Sequence, residues 1–158
     1  MAQKKIRNTY ASHQSAFSLI EVLIFTALIA IVLIGMSYVT LLSVRGARFS
    51  EDKTKALRYG QQLQEWLRGQ KELQWNTFVS SLSEQTYCVN TLPSSMSDFS
   101  ALEGVCATHA LASKYKRELT IDTIAADGSQ VSFTITVFWN DGGSVQRATV
   151  SSAFSVLE

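Results

Sequence analysis

A carboxylate inside an apolar run of membrane length is the first residue in this sequence whose type demands chemistry. Glu21 stands near the front of residues 14–35, QSAFSLIEVLIFTALIAIVLIG, with no basic side chain beside it. By insertion scales an acid costs on the order of 2.5–3.5 kcal/mol at mid-bilayer and less near an interface, so it marks function unless it only snorkels to the headgroups. What it requires is a cation. The other reactive side chains are the two cysteines, Cys88 and Cys106, then His109, and the aspartates Asp127 and Asp141. The cysteines can bridge each other or, with His109, supply three zinc ligands, one short of a closed site. Each aspartate precedes a glycine in a hairpin signature and has no acidic cluster around it, so turn chemistry explains it better than calcium.

The element that must carry Glu21 is a helix. From Val22 to Val44 there are 23 residues without a charge, a span of roughly 34 Å as a helix against a hydrocarbon core of about 30 Å. Ahead of it, residues 1–16 hold Lys4, Lys5 and Arg7 and no acid, so the net charge of +1 hides a basic leader followed by a slightly acidic remainder. By the positive-inside bias the N-terminus stays in the cytoplasm and the rest of the chain is exported. An ordinary secretory signal has a shorter apolar region, about 7–15 residues, placed before its cut. No nucleic-acid signal stands out. Lys114, Lys116 and Arg117, alternating with Tyr115, read as a solvated strand face.

A basic leader, a small residue at Ala16, and Phe17-Ser18-Leu19-Ile20-Glu21-Val22-Leu23-Ile24 opening a membrane helix together resemble the start of a type IV prepilin or type II secretion pseudopilin. The resemblance covers about twenty residues. It implies that a prepilin peptidase cuts between Ala16 and Phe17, that the new Phe17 amine is methylated, and that the mature helices pack into a filament. That family usually has Gly where this chain has Ala16, which is still small enough for a tight subsite. The cut would also create the missing cation. The Phe17 amine lies about one helical turn from Glu21, and either chain's amine can serve a neighbour's acid, so the pair becomes a docking register that penalises misaligned packing.

Beyond Val44 the helix is expected to continue. Arg45 to Lys71 has no proline, and Ala56, Leu63, Leu67 and Trp66 recur at helical steps, with Glu51, Asp52, Lys53, Lys55, Arg58 and Glu65 largely off that stripe. One helix from about Phe17 to Glu72 results, apolar all round in its membrane half and amphipathic afterwards, with Gly35 and Gly60 as soft points. Trp75, Phe78, Val79 and Leu82 suggest a short second helix, and Thr91 to Ser113, Ser-rich and holding the single Pro93, reads as a surface connection. Then the period becomes two. Val131, Phe133, Ile135, Val137 and Trp139 share one face, Asp-Gly turns flank that strand, and strands over 115–125 and 145–156 complete a meander, with Thr86 to Asn90 as a possible fourth strand.

The expected fold is therefore α+β and pilin-like: a long N-terminal α-helix, membrane half plus amphipathic half, packed against a small antiparallel β-sheet. Residues 1–16 form the removed leader, 17–44 the transmembrane and filament-core helix, and 45–158 the exported globular domain. In an oxidising compartment Cys88 and Cys106 are most simply a disulfide. No metal, cofactor or enzymatic activity is expected, because no nucleophile motif, phosphate loop or paired-carboxylate cluster is present. The implied partners are prepilin peptidase, other pilin or pseudopilin subunits, an inner-membrane assembly platform and membrane lipid. The implied location is the inner membrane of a bacterial-type cell, as a single-pass protein, and then a filament. A minor pilin is the first functional reading. A minor pseudopilin shares the same N-terminal signature, and a solitary signal-anchored binding protein is the reading from another class.

Overall fold

The computed structural model describes residues 18–156. Its first element, α1 (Leu19–Leu73), is a single 55-residue helix. Ala, Leu, Ile and Val dominate its first half, where no proline removes an N–H and no charge follows Glu21 until Arg45. This half is long and apolar enough to cross a membrane, with a mean hydropathy of 2.8 over its most apolar window. Three of its hydroxyls bond back to the helix: Thr26, Ser37 and Thr40 donate to the carbonyls of Leu23, Leu33 and Met36 at 2.9–3.0 Å. That satisfies these three hydroxyl donors without water, as an apolar surrounding would require. By its own contacts the chain divides after Val44, and the unit from Arg45 onward holds the packed core.

In that unit, the second half of α1 buries Asp52, Ala56, Gly60, Leu63 and Leu67, a stripe with steps of four, four, three and four. It lies on one face of a four-stranded antiparallel sheet in the order β1 (Thr86–Cys88), β2 (Tyr115–Ile124), β3 (Gln130–Asp141), β4 (Ser144–Ser155). The strand read as a possible extra one is thus part of the sheet. β3 alternates strictly, with Val131, Phe133, Ile135, Val137 and Trp139 all buried. β3 and β4 pair without a break from Gln130↔Ser155 to Asp141↔Ser144, while β2 bulges at Asp122. Gly60 matters for contact rather than softness. A Cβ there would meet Val150 Cγ2 at 3.0 Å, so the missing side chain lets the helix backbone approach β4.

α1 ends at Leu73, where Gln74 takes an extended backbone and caps α2 (Trp75–Ser80). Trp75 Nε1 donates to Gly128 O at 2.9 Å, tying that short helix to the β2–β3 turn. The Ser-rich stretch 91–113 differs from the surface connection its composition suggests. It contains a 3₁₀ turn, Met96–Leu102, whose Met96 and Phe99 are buried. Phe99 stacks on Trp66 (5.9 Å, 11°) and packs against Tyr87 at 4.8 Å. Two aromatics spaced along helix and strand give this segment a core to join, which no local period could reveal.

The basic cluster is also corrected. Arg117 shares the inward face of β2 with Tyr115 and is 1 % exposed. Lys116 lies on the opposite face of the strand and reaches Glu118, which is itself buried.

Candidate functional site

Glu21 lies in the first turn of α1, where its N–H donates to Ser18 O at 2.9 Å and Val22 N–H shares the same carbonyl. The unsatisfied N–H groups of a helix start carry partial positive charge, so an acid is placed there at less cost than further along. Around it Leu19, Ile20, Val22, Leu23 and Ile24 are all at least half exposed. No basic group among the described residues pairs with Glu21. An exposed apolar shell of this kind is suited to burial against other apolar surface, and an acid within it is costly there unless a cation meets it. Ala16 and Phe17, the expected cleavage position, lie outside the described residues.

A family model for the prokaryotic N-terminal methylation motif matches residues 11–37. The chain carries a prepilin-type methylation motif. This motif is the class III signal peptide of type IV pilins and pseudopilins, and the long helix with its four-stranded antiparallel sheet is a pilin-like α+β arrangement. Comparison with curated proteins and with solved structures returns no match. The methylation motif spans Ala16, Phe17 and Glu21 together, while Cys88 and Cys106 belong to the globular unit that follows it.

Those two cysteines form a disulfide, with Cα atoms 4.9 Å apart. Because each sulfur is spent on the other, the set Cys88, Cys106 and His109 has no thiolate to offer a metal. Among the described residues no group of three or more His, Cys, Asp or Glu is placed to hold an ion. The bridged loop is fastened a second time through Glu118, whose Oε1 accepts from Cys106 N–H and from Lys116 Nζ, both at 3.0 Å. Asp127 accepts from the N–H and hydroxyl of Ser129, and these bonds hold its carboxyl below the usual range. It is turn chemistry, as is Asp141 before the positive-φ pair Gly142 and Gly143.

Two charged groups escaped sequence reasoning. Asp52, placed off the apolar stripe, in fact sits four residues before Ala56 on it and is buried. It accepts from Lys114 Nζ at 2.6 Å and from the Tyr115 hydroxyl at 2.8 Å, linking helix to sheet. The Lys114 hydrogen bond, first among the causes, draws the Asp52 carboxyl below its ordinary value despite burial. Burial, followed by the bond to Asp52, pushes the Tyr115 phenol well above its own. Arg117 donates from Nε to Val89 O at 2.7 Å and from Nη1 to Tyr59 O at 2.7 Å and Gln62 Oε1 at 3.3 Å. Burial lowers its pKa to about 10. Both were signalled by spacing: Asp52 by the four-residue step, Arg117 by its period-two alignment with Tyr115 and Leu119.

Proposed function

We propose that this chain is a structural subunit, a minor pilin, of a type IV pilus-like filament, cut between Ala16 and Phe17 and assembled through its N-terminal helix. The observation that carries the reading is the methylation motif over residues 11–37, with Glu21 lying among exposed apolar side chains at the helix start and no basic partner for it among the described residues. In this reading residues 1–16 are a leader, residues 17–44 anchor the subunit in the membrane and later in the filament core, and residues 45–158 are exported. A prepilin peptidase makes the cut and methylates Phe17. The Phe17 amine of one subunit then neutralises Glu21 of a neighbour, and an assembly platform in the inner membrane lifts the helices out of lipid. Minor rank is favoured by the polar, Ser-rich 91–113 segment and by a membrane helix without proline.

A pseudopilin of a type II secretion machine shares the motif and the fold, and it is the second reading. The experiment is mass spectrometry of sheared surface filaments beside the membrane fraction. Filament-borne chain whose N-terminal peptide begins at a monomethylated Phe17 is the expected result. Peptides retaining Gln14 and Ser15 in assembled material would sink the processing step, and confinement to membranes beside an active secretion system would favour the pseudopilin.

A further inference from the structure

Arg117 is 1 % exposed, yet no carboxylate among the described residues pairs with it. Its acceptors are all neutral: Val89 O, Tyr59 O and Gln62 Oε1. Nη2 has no acceptor among the described residues. Buried charges are ordinarily paired, because neutral dipoles only partly replace the water that burial removes. The side chain lines an open cleft of about 410 Å³ that Gln62, Thr91, Leu92 and Leu111 also line, with no acidic residue in its wall.

The other polar groups in that wall point to the same class of ligand. Gln62 turns its oxygen to Arg117, which leaves its amide nitrogen a donor without an acceptor among the described residues. Asn90 is already spent, accepting from Arg117 N–H and donating to Thr108 O. The exposed Thr91 hydroxyl has no hydrogen-bond partner among the described residues. A guanidinium nitrogen, an amide nitrogen and a hydroxyl therefore stand around one neutral-walled space with no acceptor among the described residues.

We propose that this cleft is a carboxylate-binding site, with Arg117 supplying the charge and Gln62 and Thr91 the flanking hydrogen bonds. One positive charge among neutral donors matches the single charge of a carboxylate, whereas a phosphate near −2 would be left half-neutralised beside the buried guanidinium. Leu92 and Leu111 give a short aliphatic stem of the ligand an apolar surface. The inference concerns the globular unit and does not depend on which filament or machine the chain serves.

The test uses the full isotope-labelled chain in detergent micelles, titrated with N-acetyl-glutamate, with N-acetyl-glutamine at matched ionic strength, and with inorganic phosphate, and followed by NMR. The expected result is a saturable shift of the Gln62 side-chain amide and the Arg117 Nε–H with N-acetyl-glutamate alone. Arg117→Gln should abolish it. Because Arg117 also holds backbone carbonyls and that variant can fail to fold, Gln62→Leu and Thr91→Val carry the test independently, each weakening binding about tenfold, the scale of one hydrogen bond to a charged group. No saturable shift in the wild type, an equal response to N-acetyl-glutamine, a phosphate response as strong as the carboxylate response, or wild-type binding by both Gln62→Leu and Thr91→Val would each overturn the proposal.

Discussion

The Asp52 carboxylate and the Tyr115 phenol are each other's neighbours, and their shifts predict how the fold responds to pH. Asp52 titrates below its ordinary value in the folded chain, chiefly through Lys114, so its contribution is present above the unfolded value of about 3.9 and is lost as pH falls through the lower folded one. Tyr115 titrates above its ordinary value, chiefly through burial. Its contribution is present below about pH 10 and is lost as pH rises beyond that, where the unfolded phenol ionises and the folded one resists. Thermal melting across pH should therefore show an acid limb that Asp52→Asn flattens and an alkaline limb that largely survives it. An unchanged acid limb in the variant would remove Asp52 as its source. Glu21 belongs to a different problem. Replacing it with Leu removes the desolvation cost of the acid and should leave insertion and the disulfide intact, but the Phe17 amine then has no partner among packed helices. Breaking one side of such a buried pair costs about 3–5 kcal/mol, so Glu21→Leu should accumulate in the membrane, processed but poorly incorporated. Competition against co-expressed wild type measures this, and equal incorporation would show that the acid is no register.

Between helix and sheet the decisive contact is the absence of a side chain. Gly60 lies on the buried stripe of α1, and a Cβ at that point would already meet Val150 at 3.0 Å. An alanine would gain roughly 1 kcal/mol of helix propensity and lose part of it to this contact. A leucine has no space at all. Gly60→Leu should destabilise the globular unit by about 1–3 kcal/mol as the helix is pushed off β4, readable as a lower denaturant midpoint with the α1 helicity largely kept. An unchanged midpoint would mean that the approach is not tight. In sequence, Gly60 looks like any helix-weakening glycine, since what it accommodates lies 90 residues away on β4. The strands were far more legible. β3 alternates over its whole length, and period two needs no tertiary context to be read. The 3₁₀ turn at Met96–Leu102 was not legible, because its two buried side chains are held by Trp66 and Tyr87 from other elements.

Across the whole molecule, one covalent link stands at the shortest strand. β1 has only three residues, and the Cys88–Cys106 bridge, with a sequence separation of 18, ties that edge to the loop which packs Phe99. Closing a loop of this length contributes about 3 kcal/mol in the chain-entropy model. Cys88→Ser with Cys106→Ser should lower the unfolding free energy by that order in a urea titration, with α1 and the β2–β4 meander retained; a loss under about 0.5 kcal/mol would show that Glu118 and Phe99 hold the loop unaided. The sequence by itself determined the methylation motif, the membrane-length helix, the acid at its start and the period-two strands. Each is written in the order and spacing of near neighbours, where helix pitch, strand pleat and bilayer thickness act directly. Spacing could place Asp52 and Arg117 on inward faces, but only the tertiary structure decided that Asp52 meets Lys114 and Tyr115, that Gly60 yields to Val150, and that Arg117 is buried beside a cleft with no opposite charge among the described residues. A charged side chain reads as solvent-exposed until the groups that replace its water are brought to it from distant parts of the chain, and here they come from Tyr59, Gln62 and Val89.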